Sequence, residues 1–246
     1  MIKKILFFVS LFPLYLAGQG YEPSSTLWGA PDLQGVWQAV NTANYDIQDH
    51  EARLNVPAGY GVVVGNELPY RTAAFNQRVE NYRQRELLDP EANCFMTGVP
   101  RSNYLPYPFQ IFQTEDQIVL TYEYVHTIRN IHMNSEHPGI PGIQWYMGDS
   151  RGHWEGNTLV VDVTNLAPNW LDRSGNFYSE DAHIVERYTL IGPEHMNYHV
   201  MINDPQTYSE PWEMEMTLYK RQEENIRILE YECYTFFGDE VPDAMR

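Results

Sequence analysis

The sequence predicts an all-β chain, an antiparallel sandwich or barrel with a helical and irregular insertion near its start. Three observations carry this. Beyond Pro106 the chain breaks into short runs of β-branched and aromatic residues punctuated by turns. Only one stretch before that point shows a helical period, and no repeat or low-complexity tract divides the rest. Between Tyr21 and about Pro100 the texture is instead rich in Asn, Pro, Gly and Ala.

Taken in order, the insertion covers roughly residues 41–100. It holds one helix between Arg71 and Leu88, where Phe75, Val79 and Tyr82 recur at helical spacing. Candidate strands follow at Phe109 to Phe112, Gln117 to Val125, Ile128 to Met133, Ile143 to Met147, Gly152 to Trp154, Thr158 to Thr164, His183 to Ile191, Asn197 to Asn203, Trp212 to Tyr219 and Ile226 to Tyr234. Glu155-Gly156-Asn157 reads as a tight hairpin, because Gly and Asn tolerate positive φ. Asp204-Pro205 ends another strand. Strands at this spacing suit a sandwich or barrel in one domain over residues 21–246.

The N-terminus predicts export. Lys3 and Lys4 precede an apolar run from Ile5 to Leu16, then the small residues Ala17, Gly18 and Gly20, the pattern of a secretory signal peptide over residues 1–20. That run is shorter than the roughly 20 residues a spanning helix needs. No cysteine lies near the expected cleavage point, so no lipid anchor is predicted. The 246 residues carry 33 Asp and Glu against 16 Lys and Arg, a formal charge of −17, and cleavage after Gly20 would remove two lysines and no acid. Such acidity disfavours phosphate backbones and anionic lipid as partners. A periplasmic or secreted protein is therefore expected, with a small molecule as partner, no nucleic acid and no stable membrane anchor. Cys94 and Cys233 are the two cysteines, and in an oxidising compartment they could form one bridge or remain a buried free pair.

Leu33-Gln34-Gly35-Val36-Trp37 contains a Gly-x-Trp that resembles the first-strand signature of lipocalins and related calycins. The resemblance implies a calycin-like barrel, with the glycine letting the chain pass beneath it and the tryptophan plugging its closed end. The segment from Asn41 to Pro100 is longer than a lipocalin's first connection. A second resemblance runs from Cys94 onward. It includes Tyr122-Glu123-Tyr124, His126 and Arg129, then Gly148-Asp149-Ser150-Arg151-Gly152-His153-Trp154-Glu155-Gly156 with Thr158-Leu159-Val160-Val161-Asp162, Trp170-Leu171-Asp172, and His183 with Glu186-Arg187. These segments resemble a family of exported bacterial proteins. That resemblance implies a common fold and a site among these residues, and it supplies no mechanism.

Gly148-x-Ser150-x-Gly152 formally matches the nucleophile elbow of serine hydrolases. That motif requires a sharp strand-to-helix turn, whereas here a hairpin and a β-branched run follow, so a polar turn is the reading. Metal ligation also fares poorly. On one unbroken strand His126 and His132 would stand roughly 20 Å apart. His195 and His199 have helical spacing, but Gly192-Pro193 places the first in a turn and the second belongs to a strand. No metal and no cofactor are predicted, with histidines gathered from different strands as the remaining route to a metal.

What stands out is the density of ionisable residues within otherwise apolar strands. From Tyr122 to His132 neither alternate face is purely apolar, as expected where inward positions line a ligand cavity. His126, as general base or acid, with Tyr122 and Arg129 polarising an oxygen and His183 with Glu186 as a supporting pair, would suit cofactor-independent elimination, isomerisation or cyclisation. Tyr124, Trp145, Tyr146, Trp170 and Arg187 are the candidate ligand contacts for a small apolar or aromatic substrate. Two other readings use the same features: a non-catalytic periplasmic carrier of a hydrophobic ligand, and a glycan-binding protein working through surface aromatics.

Overall fold

The computed structural model describes residues 21–140, 142–231 and 233, so the expected leader lies outside the described residues. In chain order the strands are β1 (Gly35–Ala39), β2 (Phe109–Gln113), β3 (Gln117–Tyr122), β4 (Ile128–Met133), β5 (Asp149–Glu155), β6 (Thr158–Thr164), β7 (Asn169–Trp170), β8 (Phe177–Tyr178), β9 (His183–Gly192), β10 (His195–Asn203) and β11 (Trp212–Lys220). Nine of them close a barrel in the order β1-β11-β10-β9-β6-β5-β4-β3-β2, while β7 and β8 form a small separate hairpin. Closure gives every barrel strand a partner on both sides.

Side-chain alternation fixes which face is inside. Phe109 and Ile111 of β2, Ile118, Leu120 and Tyr122 of β3, Ile184, Glu186, Tyr188 and Leu190 of β9, and Met196, Tyr198, Val200 and Ile202 of β10 are all buried. Gly35 shows why β1 begins with glycine. Its φ is +136°, and a Cβ there would stand 2.5 Å from Lys220 Cε. Trp37 is fully buried, and its indole N–H donates to the Leu33 carbonyl at 2.9 Å.

Four expectations need correction. The barrel is not wholly antiparallel, because β4 and β5 run parallel over Ile131 to Met133. The connection from 134 to 148, with Pro138, Gly139 and Gly142, is too long for a hairpin and returns the chain to the starting side. The span from Tyr122 to His132 is no single strand. Val125 and His126 take positive φ (46° and 51°), and the Tyr122 N–H donates to the Thr127 carbonyl at 2.9 Å, so the chain turns there. Parity is reset by that turn, which lets Tyr122 and Arg129 both point inward. Neither Ile143 to Met147 nor the described part of 226–234 forms a strand. Trp145 and Tyr231 make only isolated bridges, to Leu166 and Tyr124.

The insertion contains α1 (Thr72–Arg83) and α2 (Arg85–Leu88), a broken version of the expected helix. Phe75, expected on the packed face, is half exposed; α1 instead buries Ala74 and Asn81. Asn81 donates to the Gly175 carbonyl at 3.2 Å, so a polar contact anchors this helix where an apolar stripe was expected. Cys94 and Cys233 are disulfide-bonded, tying the insertion to the C-terminal segment.

Candidate functional site

Buried side chains line the barrel interior, and polar groups meet among them. Arg129 on β4 and Glu186 on β9 form an ion pair with both side chains essentially sealed from solvent. Arg129 Nη1 donates to Glu186 Oε1 at 3.0 Å, and its Nε and Nη2 donate to Ser150 Oγ at 3.1 and 2.9 Å. The hydroxyls of Tyr188 and Tyr198 donate to Glu186 Oε1 at 2.9 and 2.5 Å. Asn103 donates to the Tyr188 hydroxyl at 2.8 Å and accepts from Tyr122 at 2.7 Å. Burial first, then the Glu186 charge, pushes the Tyr188 and Tyr198 phenols well above their ordinary range, so they act as neutral donors. Tyr122, Arg129 and Glu186, expected to act on a substrate in a cavity, thus lie together in a buried hydrogen-bonded cluster.

His126 and His183 do not join them. His126 sits exposed in the β3–β4 turn. His183 lies on the outer face of β9, where its Nε2 meets Asp162 Oδ2 at 2.8 Å. The same carboxylate reaches His137 Nε2 at 2.8 Å, and His137 Nδ1 lies 2.7 Å from Asp149 Oδ2. Arg187 is also on the outer face, paired with Glu155 at 2.6 Å. Trp170 on β7 is buried outside both cavities described below.

The larger cavity, about 690 Å³, opens where the start of β2 and the β3–β4 turn meet the insertion. One wall is a tyrosine cluster. Tyr107 and Tyr124 stack with centroids 5.4 Å apart, and Tyr231 lies 4.6 Å from Tyr107 and 5.9 Å from Tyr124. Burial raises the Tyr107 and Tyr124 phenols, reinforced by Tyr231 for the first and by the Glu91 charge for the second. Facing them, the guanidinium carbons of Arg53 and Arg85 lie 5.4 and 4.6 Å from the Tyr82 ring centroid. Both cations are partly exposed and partly engaged. Arg53 donates to Ser174 Oγ at 3.0 Å and lies 3.4 Å from the buried Asp46, and Arg85 donates to the Tyr82 carbonyl at 3.0 Å and lies 3.9 Å from the exposed Glu86.

The floor of this mouth is neutralised differently. Arg101, fully buried, donates to Asp89 at 2.6 and 3.1 Å and to Glu91 at 2.8 Å. Arg173 grips Glu91 with two hydrogen bonds, at 2.7 and 2.6 Å. Burial alone would raise the Glu91 carboxyl, but Arg173 and Arg101 outweigh it and hold the group below the usual carboxylate range. Beneath, burial and then the Asp46 charge push the Asp172 carboxyl up to about 7. Asp172 accepts from the backbone N–H groups of Ile47 and Ser174 at 2.9 Å.

Sequence reading found Tyr124 in this mouth and missed Arg53, Tyr82, Arg85, Tyr107, Arg173 and Tyr231. These come from the insertion, the segment leading into β2, the β7–β8 turn and the C-terminal segment, and no local pattern links them. The pairing of Cys94 with Cys233 was the one signal that could have joined two of those segments. A smaller cavity, about 440 Å³, lies beside β4 and β5 and includes the expected contacts Trp145 and Tyr146. Among the described residues no group of three or more His, Cys, Asp or Glu is placed to hold a metal, and no helix is long and apolar enough to cross a membrane.

A closed nine-stranded barrel with a mouth lined by tyrosines and by paired arginines and carboxylates is the class of protein that fold and site define. The chain matches no protein-family model and no curated protein.

Proposed function

We propose that this protein is an exported binding protein for a small aromatic molecule bearing an anionic group, held in the mouth of the barrel. The observation that carries the reading is the pair of partly exposed guanidiniums, Arg53 and Arg85, beside Tyr82 in the same mouth as the Tyr107, Tyr124 and Tyr231 wall. An aromatic body would stack against the tyrosines, while a carboxylate would add charge-assisted hydrogen bonds from the two guanidiniums to those they already make with Ser174 and the Tyr82 carbonyl. Export is supported by the N-terminal pattern and by the disulfide, which persists in oxidising compartments.

Binding is favoured over acid/base catalysis by the mouth's chemistry. Its lining contains no histidine, its buried acids are committed to Arg101 and Arg173, and its two stacked phenols stay protonated. Calorimetric titration with 4-hydroxybenzoate and cinnamate tests the reading, with the recovered ligand checked by mass spectrometry. Saturable binding, weakened about tenfold by Arg85→Ala and by added salt, with the ligand unchanged, is expected. Equal affinity in Arg85→Ala and Arg53→Ala, or no binding of either probe, overturns it. Turnover of the probe would restore the enzymatic reading.

A further inference from the structure

The second cavity lies on a different face and does not depend on how the mouth is read. Strands β4 and β5 pair only from Ile131 and Ser150 onward. Ahead of that point they part, and a lateral recess of about 440 Å³ forms between them. Its walls include Met96, Ile128, Trp145 and Tyr146, whose side chains are all exposed, and its floor is formed by Ser150 and Arg129 of the sealed central cluster. The recess is thus the place where the barrel's polar centre comes nearest to solvent through its side wall.

Ser150 is the informative group. Its oxygen accepts two hydrogen bonds from the Arg129 guanidinium, at 3.1 and 2.9 Å, and its own proton has no acceptor among the described residues. A hydroxyl whose oxygen is polarised by a cation is a strengthened donor. Arg129 itself offers the recess little, because its remaining N–H groups are directed to Glu186 and Tyr188. The floor therefore presents one hydroxyl donor beneath an aromatic and thioether wall, and Asn130, His132, Gln144 and Asp149 complete the lining, with the Asp149 carboxylate already engaged by Arg151 and His137. The backbone at Tyr146 is closely packed: at Gly98, φ +68°, a Cβ would lie 2.6 Å from the Tyr146 carbonyl oxygen and 3.2 Å from the Tyr178 hydroxyl.

We propose that this lateral recess is a second ligand site, for a small neutral molecule with an apolar body and a carbonyl oxygen that accepts from Ser150. The Gly148-x-Ser150-x-Gly152 segment then serves as a hydrogen-bonding floor. Gly148 and Gly152 are crowded by Val163 and Met133, and Ser150 lies within β5, without the helix a nucleophile elbow requires.

Acetophenone, and ethylbenzene as its analogue without an acceptor, are the probes. Protein-observed NMR follows the indole N–H peak of Trp145, assigned by its loss in Trp145→Phe. Acetophenone is expected to shift that peak saturably and to bind about tenfold more tightly than ethylbenzene, with the preference abolished in Ser150→Ala. Because Ser150→Ala leaves two buried Arg129 donors without a partner, Tyr146→Ala serves as the second variant. This exposed wall residue should weaken acetophenone severalfold without altering the barrel's circular dichroism. Absence of any shift at Trp145, equal affinity for the two probes, or unchanged binding in Tyr146→Ala each overturns the proposal. Binding of 4-hydroxybenzoate in the mouth should be unaffected by Tyr146→Ala.

Discussion

The centre of the barrel and its mouth are built from the same residue types, arginine, carboxylate and tyrosine, yet they do different work. At the centre, Arg129, Glu186, Tyr188 and Tyr198, with Ser150, form one buried hydrogen-bonded network. In the mouth, Arg101, Asp89 and Glu91 repeat that arrangement in the floor, while the partly exposed Arg53 and Arg85 make one 3.0 Å hydrogen bond each and keep longer carboxylate contacts, to the buried Asp46 and the exposed Glu86. The difference lies in exposure. A buried network holds strands in register; guanidiniums open to solvent beside aromatic faces can be engaged by a ligand.

The sharpest way to break this comparison is to open the centre. Removing one partner of a buried ion pair strands the other charge, so Arg129→Ala is expected to destabilise the fold by about 3–5 kcal/mol. Its effect should appear in the urea-unfolding midpoint. Replacing both charges at once, as Arg129→Met with Glu186→Leu, should recover part of that loss. A variant Arg129→Ala of near-normal stability would mean that the central cluster is not a lock, and the original catalytic assignment of Tyr122, Arg129 and Glu186 would regain its footing.

The floor of the mouth offers a smaller, pH-dependent test. Asp172 retains its proton in the folded chain up to about pH 7, whereas in the unfolded chain it ionises near 4. Between those values the folded state binds more protons than the unfolded state, so stability falls as pH rises. The effect is fully present below about pH 4 and is lost through pH 7, amounting to roughly 2–4 kcal/mol. Melting temperatures measured from pH 5 to 8 should decline more steeply in the wild type than in Asp172→Asn. Equal slopes would show that the four N–H donors around Asp172 hold it as an anion and that the floor carries one more negative charge.

Much of the barrel was legible because strand alternation is a local signal. The runs that became β2, β3, β4, β9, β10 and β11 each carry period-two burial, β6 is marked by its β-branched run and buries Leu159, Val160 and Val161 in succession, and the Gly156-Asn157 turn joins β5 to β6 where the sequence placed it. The parallel β4–β5 pair was not legible, since strand direction depends on where a long connection travels. Inward polar residues also blurred the pattern. Arg129 and Glu186 occupy core positions, so a reading that equates core with apolar could not choose between faces. Positive φ at Val125 and His126 was hidden for a related reason. The β-branched Val125 strongly disfavours that conformation, which histidine tolerates better, and the surrounding turn imposes it on both.

The smallest expected effect comes from the outer face, and it discriminates between readings despite its size. His183 and Asp162 are each more than a third exposed, and Arg187 with Glu155 is more exposed still, so these pairs are screened by water. His183→Ala should shift stability by no more than about 0.5 kcal/mol, and it should leave 4-hydroxybenzoate binding unchanged. The barrel wall stands between His183 and the mouth, because His183 projects outward from β9 while Ile184 and Glu186 project inward. Loss of binding in His183→Ala comparable to that in Arg85→Ala would require the outer face to communicate with the mouth. The division between a closed centre and an open mouth would then be too simple. An unchanged affinity leaves the Asp149–His137–Asp162–His183 chain as a surface tie that holds the segment containing His137 against β5, β6 and β9.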